Sequence, residues 1–256
     1  RLKTFGYESN KTGFTIGSGL EYYDDLFLKI GVSSYVEKLE TDSTASATLK
    51  KQEGSYFDTF FNYTFDYELR NQKFQTTDGF RSRFTQNVPL ISESYTITNT
   101  YDLKFYNNWL DENVASYGIY ASTTNSLTGK DVKLSDRIFL PSNKLRGFES
   151  GKVGPKDGTD YIGGNYALTF NAATTLPQLM PNLQKTNFSL FFDAANIWGV
   201  DYGGNVDEAN KIRSSIGLAV DFFTPIGPLS FSLSETITKS KNDITESFRF
   251  NLGTTF

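Results

Sequence analysis

The sequence predicts an all-β protein, an antiparallel up-and-down transmembrane β-barrel of about twelve strands. Three observations lead there. The chain is rich in aromatics, with 23 Phe and 15 Tyr against a single Met, and aromatic side chains suit a pleated surface. Apolar and polar residues alternate with period two over segments longer than the usual globular strand. No run approaches about 18 consecutive apolar residues, so a membrane crossing by helix is excluded while crossing by strands is not.

The elements follow in order. A partial strand at the start leads into Phe14, Ile16, Ser18, Leu20 and Tyr22 on one phase. Leu26, Leu28, Ile30 and Val32 then alternate with Phe27, Lys29, Gly31 and Ser33, Phe27 being the exception. In YFDTFFNYTFDYELR, residues 56–70, the odd positions Phe57, Phe61, Phe65, Tyr67 and Leu69 face one way and Asp58, Asn62, Asp66 and Glu68 the other. Weaker alternation marks 80–90, 94–106, 114–126, 163–177, 187–198 and 229–239. Ile212 to Phe222 alternates cleanly, as does the end, with Phe248, Phe250, Leu252 and Phe256 opposite Arg249 and Asn251. Turn signals such as SNKTG, YYDD, NQKFQTTDG and TPIGPL separate these segments. Glu235 sits on the apolar phase of Leu233, and is expected beyond the membrane boundary.

Periodicity alone fits soluble sandwiches and lipocalin-like barrels equally well. Strand length, aromatics at strand ends (Tyr22, Tyr23, Tyr67, Trp109, Trp198, Phe223) and short links favour the inside-out arrangement, apolar face to lipid and polar face to a wet lumen. Closure into a smaller ring and an open, curved sheet both fit the pattern. No boundary between two domains is visible, so residues 1–256 read as one barrel unit.

Composition removes whole classes of chemistry. With no Cys and no His there is no thiol nucleophile, disulfide, ordinary zinc site or Ser-His-Asp triad. No nucleophile and base stand together, so no catalytic residue, metal or cofactor is assigned. Asp58, Asp66 and Glu68 read as lumen-lining carboxylates rather than an acid/base pair. A net charge of −4, without a Lys/Arg block, gives no basis for nucleic-acid binding.

Local motifs sharpen this reading. The loop KLRGFESGKVGP (144–155), GGN (163–165), FSLFFDAANIW (188–198), TPIGPLSFSL (224–233) and the terminal ESFRFNLGTTF occur in order, with RNQKFQTTDGF (70–80) upstream. Together they resemble the BamA family of outer-membrane assembly factors. The resemblance implies a family-typical barrel of sixteen strands preceded by POTRA domains, of which this chain carries the last twelve or so strands and no POTRA domain. It implies a long loop, about 128–162, folded into the barrel, with the tip Leu145, Arg146, Gly147 and Phe148 docked on the inner wall. Asp193, on the phase of Ser189, is the expected lumen partner of Arg146.

The family usually adds a glutamate on the strand after the loop. Residues 165–177 contain no acid, leaving Asp221 or Asn171 as substitutes. Lys144, Lys152 and Lys156 are expected to be solvated loop charges. The implied function is folding and inserting β-barrel proteins by strand templating at a lateral seam, in the outer membrane of a Gram-negative bacterium. Phe248, Phe250, Leu252 and Phe256 would form the seam strand and terminal signal. The implied partners are unfolded outer-membrane protein clients, assembly-complex lipoproteins and outer-membrane lipids. A two-partner secretion or translocation-assembly transporter, a passive porin and an outer-membrane enzyme are the rival readings.

Overall fold

The structure is a computed structural model that describes residues 2–4, 7–73, 75–110, 112–179, 186–203, 206–224 and 227–252. Its strands are β1 (Leu2–Thr4), β2 (Tyr7–Tyr23), β3 (Leu26–Thr41), β4 (Gly54–Glu68), β5 (Gly79–Ile91), β6 (Thr96–Leu110) and β7 (Asn113–Ser126). Two short strands, β8 (Lys156–Asp157) and β9 (Asp160–Tyr161), lie within the next connection. The remainder are β10 (Tyr166–Thr175), β11 (Thr186–Trp198), β12 (Val206–Asp207), β13 (Arg213–Thr224), β14 (Gly227–Thr238) and β15 (Phe248–Leu252).

Twelve of these form one sheet in the order β1-β2-β3-β4-β5-β6-β7-β10-β11-β13-β14-β15, and β12-β8-β9 form a small separate one. Every pairing is antiparallel between chain neighbours of the sheet, an up-and-down meander. Among the described residues β1 and β15 do not pair with each other. Phe256 lies outside the described residues.

The faces are inverted relative to a soluble barrel. Ile16, Val32, Phe61 and Val88 stand opposite one another across four strands, an apolar row on the outer face. Phe14 is 62% and Ile16 70% exposed, while Asp58, Asp193, Arg213 and Ser215 on the inner phase are almost wholly buried. A soluble monomer does not present an apolar face of this extent to water. Hydrocarbon outside and polar groups inside account for both. A sheet also satisfies its backbone internally, as the bilayer core demands.

Expectation and structure differ most in length. β2 runs for 17 residues and β3 for 16, several beyond the alternation visible in sequence, because Glu37 and Lys38 continue the ladder above the apolar belt. Glu235 is exposed on the outer face, three residues before β14 ends. The connections 42–53, 92–95, 127–165, 199–212 and 239–247 all emerge at one end, since antiparallel neighbours reverse direction at each turn. In the first of these, a single helical turn, α1 (Ala47–Lys50), is capped by Ser46, whose Oγ accepts from the Leu49 N–H at 3.2 Å.

The apolar packing lies inside the lumen at this end. Tyr7, Leu39, Ala45, Leu49, Leu134, Ile162 and Tyr202 form one cluster. Ile138, Leu140, Leu145, Phe148, Val153, Ala167, Ala195 and Ile197 form a second. Each joins the connection 127–165 to the inner wall.

Candidate functional site

The connection 127–165 turns back into the barrel, and its tip is held by Asp193. Arg146 donates through Nε to Oδ2 and through Nη2 to Oδ1, both at 2.7 Å, and its backbone N–H reaches Oδ2 at 3.0 Å. Asn171 Nδ2 donates to Asp193 Oδ1 at 2.8 Å and to the Lys144 carbonyl at 2.9 Å. The wholly buried carboxylate thus receives four hydrogen bonds. That satisfaction is what makes burying its charge tolerable. The Arg146 guanidinium also lies over the Phe191 ring, 3.5 Å from its centroid. Of the two substitutes considered for the missing glutamate, Asn171 joins this network. Asp221 instead accepts from Ser230 on the neighbouring strand.

The rest of the tip is fitted to the wall. Gly147 has φ +85, and a Cβ there would stand 3.0 Å from Ser215 Cβ and 3.4 Å from Ser234 Cβ. Glycine is therefore required both by conformation and by space. Ser215 Oγ donates to the Arg146 carbonyl at 2.5 Å, and Thr236 Oγ1 to that of Gly147 at 3.2 Å. Leu145 and Phe148 are buried in the second apolar cluster. Phe148 bridges to Thr245, while the Glu246 N–H bonds the Gly147 carbonyl at 3.1 Å, which ties the tip to the connection before β15.

Arg249, on the inner face of β15, completes this tie. Its guanidinium donates to the carbonyls of Ser142 and Phe148 and to Glu246 Oε2, the last at 3.0 Å through Nε. On the outer face of the same strand Phe248, Phe250 and Leu252 are at least half exposed.

Lys144 departs from expectation. It is buried rather than solvated, and Nζ meets Asp102 Oδ2 at 2.5 Å over the Tyr120 ring, because the folded-in loop carries its stem below the barrel rim. Burial lowers its pKa, against the opposing pull of Asp102. Lys152 and Lys156 are half-buried, both over the ring of Tyr161. Asp58 and Asp66 line the lumen: Asp66 takes a bidentate fork from Arg81 at 2.8 Å and a bond from Arg83, while Glu68 pairs with Arg70.

Sequence reasoning missed a second anchor. Lys133, buried in the loop, bonds Glu37 Oε2 at 2.7 Å and Asp58 Oδ2 at 2.9 Å, with Tyr56 beneath it. Burial by itself would lower its pKa, but Asp136 and Glu37 outweigh that and raise it. It missed a third in Arg213, which is fully buried and forked onto Asp243 at 2.9 and 3.2 Å. A lone cation on the lumen phase of a strand was the available signal for Arg213 and Arg249. Lys133 had none, since its partners lie far back in the chain.

The Omp85 superfamily domain matches residues 2–256. The chain belongs to the Omp85 superfamily. Within it, outer membrane protein assembly factor BamA of Neorickettsia risticii (strain Illinois) is 24% identical over 240 residues, covering 91% of this chain and 32% of that protein. BamA of Neisseria meningitidis serogroup B is 33% identical over 141 residues, 44% of this chain and 17% of its own length. The chain therefore spans about a third or less of these two relatives. The crystal structure of BamA from Haemophilus ducreyi lacking POTRA domains 1–3 superposes with a TM-score of 0.84 at 22% identity, over 95% of this chain and 54% of that one. CdiB from Acinetobacter baumannii shares the fold at a TM-score of 0.62 and 12% identity, over 97% of this chain and 42% of that chain. An Omp85 barrel with a lipid-facing apolar surface is an integral protein of the outer membrane.

Proposed function

We propose that this chain is the barrel unit, residues 1–256, of an outer-membrane protein assembly factor, which folds client β-barrels by strand templating. The observation that carries the reading is β15. Five residue pairs hold it to β14, from Leu229↔Leu252 to Leu233↔Phe248, and among the described residues its other edge pairs with nothing. Such an edge offers N–H and C=O groups to an incoming strand. The names of the relatives support the same reading. Hydrogen bonding does the work, with no covalent step and no cofactor.

The inner loop supports assembly over passive conduction, since two apolar clusters and three buried ion-pair anchors fill the lumen at one end. Unfolded barrel clients, accessory lipoproteins and outer-membrane lipids are the proposed partners, in a Gram-negative bacterium.

These 256 residues hold no cysteine that would compete in a crosslinking test. Asn251→Cys in the intact protein, paired with single cysteines along the terminal strand of a stalled client, should give disulfides at one register only. Crosslinks spread evenly over all client positions would overturn templating.

A further inference from the structure

We propose that the lumen contains an oxyanion site, for a carboxylate or phosphate group, centred on the ammonium of Lys104. The reading is independent of the assembly function. Lys104 lies on the inner phase of β6, between Asp102 and Tyr106, and borders a cavity of about 270 Å³ beneath the docked loop tip.

Apart from Lys73, which is exposed to solvent, the other cations around this cavity are matched. Arg146 meets Asp193 at 2.7 Å, Lys144 meets Asp102 at 2.5 Å, Arg70 meets Glu68 at 2.6 Å and Arg81 meets Asp66 at 2.8 Å. Among the described residues Lys104 has no carboxylate within ion-pair distance, and the acid nearest in sequence, Asp102, is already taken by Lys144. Arg70, Lys144 and Arg146 line the same cavity, and each is engaged by a carboxylate of its own. One half-buried ammonium is thus left without a carboxylate of its own.

Space and access fit an anionic group. The lining includes the small neutral side chains Ala173, Ser189, Ala219 and Ser232, and its one carboxylate, Asp221, is engaged by Ser230. Thr76, Thr175 and Asn187, at or near strand ends away from the long loop, mark the mouth. An ammonium in such a place gains from a partner that brings opposite charge and accepts its N–H bonds.

The test uses the intact protein in detergent, titrated separately with inorganic phosphate and with acetate. Saturable binding of one anion per chain is expected, about tenfold weaker in Lys104→Met and restored in Lys104→Arg. The stronger anion then names the ligand class. A readout that needs no variant is acetylation of lysines followed by mass spectrometry: the preferred anion should protect Lys104 and leave Lys29 and Lys38 reactive. Absence of saturation, affinity unchanged in Lys104→Met, or equal protection of all three lysines would overturn the site.

Discussion

At the scale of single residues, Arg146 and Asp193 are unequal partners. Asp193 is wholly buried, whereas the Arg146 side chain retains about a fifth of its exposure. Removing the arginine leaves a dry carboxylate with fewer donors, so Arg146→Ala should cost about 3 kcal/mol of loop docking. Arg146→Lys should recover only part of that, since an ammonium cannot supply the two parallel bonds of the fork. Protease cleavage within 138–150 measures both, and cleavage unchanged in Arg146→Ala would refute the anchor. Gly147 gives a complementary case: Gly147→Ala must adopt a positive φ and press its methyl on Ser215. A loss of about 1–3 kcal/mol is expected in the same assay, with no change in charge.

At the scale of elements, the inner loop behaves as a chain of anchors rather than one latch. Lys133 holds its first part and Arg146 its tip, while β8 and β9 pair at Lys156↔Tyr161 near the outer rim. Lys133→Met should therefore open the segment around 130–137 to protease while leaving the tip protected. The rim hairpin carries a pH dependence of its own. Burial first, then Asp42 and Asp157, raise the pKa of Asp160. A carboxylate raised in the folded state contributes fully below its unfolded pKa, and that contribution is lost as pH rises through the folded value. Amide-exchange protection of 156–161 should fall from acid to neutral pH, and Asp160→Asn should flatten the profile. These anchors also show what a sequence can display. The strand faces were legible because lipid on one side and water on the other impose period two on residues such as Phe57 to Leu69. The tip was legible through LRGF and the inward phase of Asp193. Lys133 was not, because its partner Asp58 lies 75 residues away and no local pattern encodes that meeting.

At the scale of the whole molecule, the loop and the last strand form one mechanical unit. Over its described residues, Phe248–Leu252, β15 pairs with β14 alone. Arg249 adds a second hold from inside, through the carbonyls of Ser142 and Phe148, and the connection before β15 bonds Gly147 and Glu149. In the proposed templating role β15 exchanges its edge pairing, and these bonds would tie its freedom to the seating of the loop. Arg249→Ala should therefore raise amide exchange in β15 and in 142–148 together, because each loses its bond to the other. Arg146→Ala should raise exchange in 142–148 more than in β15, since it frees the tip while Arg249 still spans the two. Exchange in β15 that is unmoved by Arg249→Ala would mean that the ladder to β14 alone holds the strand, and that loop and seam are independent.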